Sequence, residues 1–519
     1  MTRVAALICM VVFLSSTLVL EAQQITGSLR GTVSDPSGAV VASAPVTAKN
    51  TETGLTRSTV TDRTGSFVLI ELPVGHYQLE VTAQGFQKYV QDGISLNVNE
   101  TGVVPVRLRV GGEAEQIQVK ADAELLQPTV TSLGKAVLEQ ELNDLPLDGR
   151  NFSQLGLLQP GVVPLTAGLQ EAGGSLRHGQ SYSVNGQRPE SNNFLIDGAN
   201  NVNAVDAGFV LQPPIDAISE FRILTHTANA EFGQNTGSTT NIVTKSGSNS
   251  FHGSAWEFLR NDALDAADYS TGTVQPLKQN QFGGTFGGPI IKDRTFFFGY
   301  YEGFRNRQGE TVNATVPSLL ERQGDFSEHG LCAINFNTGS CDPVPNNQVP
   351  ITPISANILN FYPLPNQGTN TFITTQSKSV NNDQFGVRLD HYLTTKDNLN
   401  FRYMYSGGPT NDPLSTSGAN VPGFPVGEED RAQNFAVQET HVFSPAIIGV
   451  ARFSYLRNKF LFDQHLNHTA PSELGFQYDP TLPDAAGPPF IQVAGYASVG
   501  DPITGPRNTF QNTFDGVSD

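Results

Sequence analysis

The residue types that catalysis needs are present in this chain, but their spacing does not assemble a reactive site. The glycine run Gly283–Pro289 lacks the Gly-Lys-Ser/Thr ending of a phosphate loop, and Thr244–Gly247 is likewise no phosphate site. The nine histidines are scattered, with no H-E-x-x-H pattern and no paired cysteines at zinc-binding spacing. No Ser/His/Asp order stands out. The sequence therefore predicts a protein that is not an enzyme and has no cofactor.

One group of side chains carries oxygens that suit a hard cation. Asp197, Asn200, Asn201 and Asn203 follow one another closely, but their spacing departs from that of a calcium loop. Residues of this type also form turns by bonding to their own backbone, which is the ordinary interpretation of such a run. No metal site is expected.

Composition favours β-structure over a helical enzyme. Charged residues make up only 15% of the 519 residues, while Gly (51), Phe (32) and Tyr (13) are prominent. A chain of this length predicts about three or four folded units. The net charge of -18 excludes nucleic acid as a partner, because the chain could not neutralise a run of phosphates.

The first residues and the cysteines indicate an exported protein. Residues 1–22 combine Arg3, the apolar stretch Val4–Leu20 and a small residue for cleavage, which is typical of a signal peptide. Cys332 and Cys341 stand in a stretch rich in Asn, Pro and Gly, and predict a local disulfide in an oxidising compartment. No later run of ~18 apolar residues could form a membrane helix, so any membrane contact must use a barrel.

Residues 25–110 predict a β-sandwich, because short apolar-rich segments alternate with turn signals such as Asp35-Pro36-Ser37-Gly38. The predicted strands are Ser28–Val33, Ala44–Asn50, Arg57–Thr61, Ser66–Leu69, Gly75–Ala83 and Val103–Leu108. The motifs G-T-V-S-D at Gly31–Asp35, T-D-R-T-G-S-F at Thr61–Phe67 and L-P-V-G-H-Y at Leu72–Tyr77 resemble those of the carboxypeptidase-regulatory-like domain. That resemblance implies a prealbumin-like, carbohydrate-binding-like fold without catalytic residues.

Residues 111–119 leave the sandwich through two glycines and continue as a short alternating segment. An extended segment of this kind can add as a strand to the edge of a partner's sheet. The segment resembles the TonB box of TonB-dependent receptors, which implies an energy-coupling partner; a linker or a first plug strand is the alternative. We refer to its five residues as the coupling segment: Glu115, Gln116, Ile117, Gln118 and Val119.

Residues 120–249 predict a mixed α/β unit, with short helices over Val137–Leu145 and Phe152–Leu158 and strands over Ile218–Leu224 and Thr239–Thr244. Its motifs resemble, in order, the plug of TonB-dependent receptors, in particular the Oar-like branch. They are L-P-L-D-G-R-N-F at Leu145–Phe152, V-N-G-Q-R at Val184–Arg188, F-L-I-D-G at Phe194–Gly198, I-S-E-F-R at Ile218–Arg222, A-E-F-G at Ala230–Gly233 and N-I-V-T-K-S-G-S-N at Asn241–Asn249.

The resemblance implies that polar residues of these motifs contact a surrounding barrel wall. The candidates are Arg150, Arg188, Asp197 and Arg222. A plain structural role inside the plug is the alternative for each of them.

Residues 250–519 predict long strands with aromatic and polar residues on opposite faces, the pattern of a lipid–lumen boundary. Phe296, Phe298, Tyr300 and Phe304 share one face of such a strand, opposite Gly299 and Gly303. The predicted strands are 251–261, 279–289, 294–306, 382–394, 398–408, 431–443 and 447–460, with an eighth beginning near Thr509. Short turns alternate with long polar loops, as in transmembrane barrels. The resemblance implies about 22 strands in the closed barrel, so we expect this chain to be the first part of a longer protein.

The predicted fold class is therefore mainly β: a β-sandwich, an α/β plug and a partial antiparallel transmembrane β-barrel. The resemblance implies an outer-membrane receptor that takes up an external substrate, with the sandwich in the periplasm. Its partners would be a TonB-type energy-coupling protein and outer-membrane lipid. The alternatives are a non-transporting adhesin or envelope protein, and a carbohydrate-binding surface protein.

Overall fold

The computed structural model describes residues 26–518 apart from Asn99, 112–115, 121–132, 148–149, 165–181, 205–207, 227–235, 268, 270–271, 335–339, 415–417, 445–446, 482–486 and 504. The predicted signal peptide, Glu115 and the motif Ala230–Gly233 therefore lie outside the described residues. The described chain is mostly β-strand, in three successive bodies. No helix among the described residues has the length and apolar character needed to cross a membrane.

The first body is a sandwich of two sheets, as predicted. Its strands are β1 (Thr26–Ser34), β2 (Pro45–Asn50), β3 (Thr56–Val60), β4 (Ser66–Pro73), β5 (Gly75–Val81), β6 (Lys88–Leu96), β7 (Thr101–Val103), β8 (Val106–Arg107) and β9 (Gln116–Lys120). One sheet has the order β4-β1-β7 with β8 also on β1, and the other has the order β3-β2-β5-β6-β9. Alternate residues such as Leu29, Phe67, Tyr77 and Leu79 fill the space between the sheets.

Strand β6 was not among the predicted strands. Asp92-Gly93 interrupts its alternation, and Gly93 adopts a φ of 79°, which L side chains rarely adopt. The pairing of β5 with β6 shifts register between Tyr77 and Leu79, so the interruption is a β-bulge inside a continuous strand. The Asp-Gly pair, which usually indicates a turn, marks a β-bulge in this strand.

The second body, the plug, is built on a five-stranded sheet of order β10-β15-β16-β13-β14. Its strands are β10 (Leu133–Leu138), β13 (Asn193–Ile196), β14 (Ala199–Asn200), β15 (Ile218–His226) and β16 (Thr239–Thr244), and a separate pair contains β11 (Val162–Pro164) and β12 (Tyr182–Val184). Helix α1 (Glu139–Asp144) and three 3-10 turns (Phe152–Leu158, Pro189–Ser191 and Ile215–Ala217) join them.

The helix predicted over Val137–Leu145 is partly wrong. Val137 and Leu138 end strand β10, where Val137 pairs with Phe221 of β15. Only the polar remainder is helical, as α1. The β-branched Val137 gains more from packing in the plug core than a six-residue helix could gain by one further turn.

The third body, the wall, is an eight-stranded antiparallel sheet whose strands follow chain order. They are β17 (His252–Asn261), β18 (Leu277–Ile291), β19 (Thr295–Thr315), β22 (Thr371–Tyr392), β23 (Asp397–Asp412), β24 (Val426–Ser444), β25 (Ile447–His465) and β26 (Arg507–Ser518). Strands β19 and β22, with 21 and 22 residues, are about twice as long as a bilayer crossing requires. Their extra length lies at the end of the wall that carries the long loops.

The aromatic face of β19 points inward. Phe296, Phe298 and Tyr300 are buried, and the last two belong to the hydrophobic core of the plug. Phe401 and Tyr403 of β23 lie on the opposite face from Arg402, which is buried. Period-two alternation identifies two faces but not which one is lipid, because a wall that encloses a packed plug also needs apolar residues inside.

The long loops of the wall pack together into a cap with its own core. Its members include Val316, Tyr362, Val421, Phe424 and Val499, which come from three separate loops. The remaining elements of this region are β20 (Cys332–Ile334), β21 (Cys341–Pro343), α2 (Pro353–Leu359), and the 3-10 turns Asp262–Leu264, Glu321–Gln323, Pro345–Asn347 and Pro471–Leu474. The loops that were predicted as polar connections thus form a folded surface.

Candidate functional site: the plug and its contacts

The turn Asp197-Gly198 places a carboxylate where the plug meets the wall. Asp197 and Gly198 have φ values of 46° and 72° and connect β13 to β14, as expected for Asp-Gly in a tight hairpin. Thr244, at the end of β16, donates its backbone N–H to Asp197 Oδ1 (2.8 Å) and its hydroxyl to Asp197 Oδ2 (2.7 Å). Two hydrogen bonds within the plug therefore help to orient the carboxylate, independently of the wall.

Three arginines of the wall surround that turn. Arg402 of β23 forms an ion pair with Asp197 Oδ2, and Arg388 of β22 has its Nη1 3.8 Å from Oδ1. Arg452 of β25 donates to the backbone carbonyl of Asp197 over 3.4 Å. Both Arg402 and Asp197 are buried, so each charge depends on the other for compensation.

Further acceptors on the wall and the plug contact two of these arginines. Arg402 donates from Nη2 to Asn434 Oδ1 (2.7 Å). Arg388 donates to the carbonyl of Thr244 (2.8 Å) and, from Nε, to Asp390 (3.0 Å). The cluster thus joins one plug turn to four neighbouring wall strands, β22 to β25, and it can define both the position and the rotation of the plug.

Arg150 makes a second contact with the wall. It has a φ of 56° and forms an ion pair with Asp216 of the plug. Its guanidinium carbon lies 4.5 Å from the ring centre of Phe258 and 5.5 Å from that of Trp256, both on β17. This arrangement is a cation–π contact, which holds a charged side chain against an aromatic surface.

Arg222 contacts the sandwich. It donates to the carbonyl of Val98, and Glu220, two residues earlier on β15, accepts the N–H of Val98 at 2.9 Å. The plug thus binds both polar backbone groups of one sandwich residue, an arrangement that we call the Val98 contact.

Burial governs the acid–base properties of the Val98 contact. Glu220 is fully buried, and burial raises its pKa to about 7, against the opposing effects of the Val98 N–H and the Arg222 charge. Burial likewise lowers the pKa of Arg222. The sandwich, the plug and the short-turn end of the wall border a cavity of about 800 Å³, whose lining includes Leu96, Asn97 and Ser219. The Val98 contact is therefore a point of direct attachment next to a cavity.

Arg188 is exposed at the start of the 3-10 turn Pro189–Ser191, where its carbonyl accepts the N–H of Ser191. In the part of the chain that the structure describes, no ion pair joins it to the wall. Of the four predicted plug residues, the structure therefore places Asp197 and Arg150 against the wall, Arg222 against the sandwich and Arg188 at the surface.

Gln116–Val119 of the coupling segment belong to β9, which pairs in parallel with β6. Lys88 lies opposite Gln116, and Asp92 lies opposite Lys120, in an uninterrupted register. The predicted coupling segment is therefore an edge strand of the sandwich in this structure.

Cys332 and Cys341 form a disulfide that closes the hairpin of β20 and β21, with their Cα atoms 5.3 Å apart. Asn201 bonds Leu211 through both its amide oxygen and its amide nitrogen, and the side-chain oxygen of Asn200 accepts the N–H of Val202. These asparagines thus have structural partners, and the described residues contain no group of three or more His, Cys, Asp or Glu side chains arranged to hold a metal.

Sequence reasoning missed the three wall arginines that contact the plug, Arg388, Arg402 and Arg452, and the plug residue that contacts the sandwich, Glu220. The three arginines lie about 190 to 255 residues from Asp197 in the chain, so no local spacing relates them to it. One signal was available: Arg402 and Arg452 each lie on the face of a wall strand opposite its aromatic residues. A charge on the inner face of a barrel with a buried partner is a reason to expect a specific contact.

Fold and site together define a class: a protein whose antiparallel wall of eight strands packs against a plug, with a β-sandwich ahead of both in the chain. Residues 243–519 match the family described as Outer membrane beta barrel domain, and residues 28–109 match the Carboxypeptidase regulatory-like domain. The first match covers more than half of the chain. This protein therefore belongs to the outer membrane beta barrel family, and it is an outer-membrane protein.

Among curated proteins, the chain is 28% identical over 309 residues to the TonB-dependent transporter Oar of Myxococcus xanthus, covering 56% of this chain and 28% of the relative. Among solved structures it is similar to the ferric enterobactin receptor PfeA of Pseudomonas aeruginosa, with 15% identity, 66% of this chain, 42% of that chain and a TM-score of 0.40. It is also similar to the outer membrane transporter YddB of Escherichia coli, with 11% identity, 65% and 40% coverage and a TM-score of 0.43. The chain thus spans less than half of each relative, and these relatives are named as transporters and receptors.

Proposed function

We propose that this chain belongs to a TonB-dependent transporter, in which an energy-coupling protein displaces the plug to open a path for a substrate. The observation that carries the proposal is the shared plug–wall core. Phe298 and Tyr300 of β19, Ala432 of β24 and Leu456 of β25 pack in one cluster with plug residues, beside the buried Asp197 cluster. A plug held this way closes the wall at rest and must move for anything to pass.

The proposal divides the chain into a signal peptide (1–22), a periplasmic sandwich (25–110), a linker with the coupling segment (111–119), a plug (120–249) and the first part of the barrel (250–519). A TonB-type protein in the periplasm would bind Glu115–Val119 by strand addition. The short-turn end of the wall would face the periplasm, and the cap would face the outside.

In this scheme Asp197 and Arg150 hold the plug against the wall, and Arg222 holds the sandwich against the plug. Arg188 is assigned to the plug surface. The glycan link rests on the fold analogy of the sandwich alone, so the proposal names no substrate class.

The test measures plug movement directly, because the substrate is unidentified. Ala432 is 0% exposed in the plug–wall core, so an Ala432→Cys variant should react with an added maleimide only when the plug moves. We expect labelling in energised cells, and its loss after addition of a protonophore or deletion of Glu115–Val119. Ala356→Cys on the exposed helix of the cap is the matched control and should label in every condition. Labelling of Ala432→Cys that ignores both treatments would refute the proposal.

A non-transporting adhesin or carbohydrate-binding surface protein is the second candidate, and the cap favours it. The cap has its own hydrophobic core and a disulfide-closed hairpin, which suits a surface built to bind other cells or polymers. Deleting Glu115–Val119 separates the two functions. An adhesin should keep its surface binding and show no energy-dependent labelling of Ala432→Cys.

A further inference from the structure

The coupling segment leaves one edge of the sandwich sheet available. Strand β9 is the last strand in the order β3-β2-β5-β6-β9, and among the described residues no strand lies beyond it. One side of β9 pairs with β6. The N–H and C=O groups of its other side therefore form an edge of the kind to which an extended strand can add.

The sandwich connects this edge to the plug. Strand β6 ends at Leu96, and the Val98 contact with Glu220 and Arg222 of β15 follows within two residues. Glu100 fastens the same turn by accepting the backbone N–H (3.0 Å) and the side-chain amide (2.8 Å) of Asn97. The route from β9 through β6 to β15 consists of strand pairing, the chain from Leu96 to Val98, and two direct hydrogen bonds.

The covalent route from β9 to the plug is longer. It passes through residues 121–132 before β10 begins at Leu133. A chain of that length can extend to roughly 40 Å. The described residues therefore connect β9 to the plug through the sandwich, by the β6 pairing and the Val98 contact.

We propose that β9 stays paired with β6 while the periplasmic energy-coupling protein pulls on the coupling segment. The sandwich then moves as one piece with the coupling segment and carries the displacement to β15 through the Val98 contact. This inference rests on the proposed function. In the opposite mechanism, β9 must separate from β6 before the pull can reach the plug. The sandwich would then delay the transmission of the pull instead of carrying it.

A cross-link between β6 and β9 distinguishes these mechanisms. Gln91 and Val119 are paired residues of the two strands, and strands in a sheet lie about 4.8 Å apart, a separation that a disulfide spans. We introduce Gln91→Cys with Val119→Cys in the Ala432→Cys background. The control is Thr47→Cys with Ser58→Cys, which cross-links the exposed pair of β2 and β3 elsewhere in the same sheet.

With the β6–β9 cross-link closed, energised labelling of Ala432→Cys should stay within about twofold of the control. Labelling is read on the proteolytic peptide that contains position 432, because reduction also frees other cysteines to react. Labelling of that peptide that falls to the protonophore level when the cross-link is closed, and returns after reduction, would overturn the inference. The deletion of Glu115–Val119 is measured in parallel. If that deletion leaves labelling unchanged, the proposed function fails; if it abolishes labelling and the cross-link does too, only the inference fails.

The Val98 contact is tested by replacing Glu220 and Arg222 together with alanine. We expect the purified periplasmic domain of a TonB-type protein to bind the variant as it binds the parent, while energised labelling of Ala432→Cys falls at least about fivefold. Glu139→Gln, which removes an exposed ion pair of the plug with Lys245, is the control and should change neither measurement. Unchanged labelling in the double variant would overturn the role of the contact, and a folded-barrel mobility shift on gels verifies assembly.

Discussion

The buried charges of Asp197 and its arginine partners define one specific position of the plug against the wall. An isolated buried arginine is costly because it has lost its water, and the cost is offset only when an anion and further acceptors lie in the right places. Arg402 is 2% exposed and finds these partners in Asp197 and Asn434 only when the plug is seated as observed. A rotated or shifted plug would leave a guanidinium unpaired, whereas the apolar contacts around it would tolerate a small displacement.

Replacing Asp197 with asparagine should loosen the plug. The amide keeps the shape of the side chain but removes the negative charge, so Arg402 is left without a counter-ion. We expect the plug to lose about 3 kcal/mol of stability, the lower range for removal of one partner from a buried pair. Urea unfolding of the plug in the detergent-solubilised protein measures this. Asp144→Asn, at an exposed position of the plug, is the control, and an equal effect of both substitutions would contradict the assignment.

The Val98 contact should weaken as pH rises. The pKa of Glu220 is raised to about 7 from 4.5 because the carboxyl is buried, with Glu100 adding to the rise and Arg222 opposing it. The folded state therefore holds more protons than the open state between pH 4.5 and 7, so stability falls across that window and levels off above it.

The measurement is proteolytic release of the sandwich at pH 5 and pH 8. The opening equilibrium of the parent should increase at least about tenfold, since one pKa unit corresponds to about 1.4 kcal/mol. Glu220→Gln keeps an acceptor for the Val98 N–H and should remove most of this dependence. Glu80→Gln, which affects only a half-exposed ion pair with Lys88, should retain it. A parent that releases the sandwich equally at both pH values would show that Glu220 does not titrate there.

Among the elements, those defined by local signals were predictable. Thr239–Thr244 was predicted at its observed bounds, and the wall strands were found because period-two alternation is local. Strand β6 was missed because a bulge and a turn share the Asp-Gly signal. The inward face of β19 was not assignable, because the choice between lipid and plug depends on what the wall encloses. The pairing of the wall arginines with Asp197 was not predictable either, because it joins strands that are distant in sequence.

Strand β9 should protect the sheet edge of β6. A sandwich fragment of residues 26–110 lacks β9 and exposes the nine-residue β6 as the sheet edge, whereas a fragment that keeps β9 ends in a five-residue strand. The longer edge invites more pairing between copies. We expect this fragment to self-associate more strongly than a fragment of residues 26–120 in sedimentation experiments over the same concentrations. Gln118→Pro in the longer fragment removes a backbone donor from β9 and should behave like the shorter one. Monomeric behaviour of all three fragments would contradict a protective role for β9.

At the scale of the whole molecule, the hydrophobic cores are not distributed evenly among the three bodies. The plug and the wall share one core, whereas the sandwich has a separate core that includes Leu29, Phe67 and Tyr77. The described contacts that attach the sandwich to the plug and the wall are polar and lie outside the sandwich core. They include the Val98 contact, a hydrogen bond from the Asn249 N–H to the Glu52 carbonyl (2.9 Å), and one from Arg57 to Thr395. The sandwich can therefore separate as a unit without exposing the core that closes the wall.

This organisation predicts that assembly and energised movement respond differently to loss of the sandwich. Removing residues 26–110 while keeping the signal peptide and the coupling segment should leave a protein that reaches the outer membrane with its plug seated, because the core of Phe298, Ala432 and Leu456 is untouched. Energised labelling of Ala432→Cys should nevertheless fall several-fold, since only the chain through residues 121–132 would still join the coupling segment to β10. Membrane fractionation and maleimide labelling measure the two outcomes in the same cells. Failure to assemble would mean that the sandwich contributes to folding of the plug, and undiminished labelling would mean that the covalent route alone carries the pull.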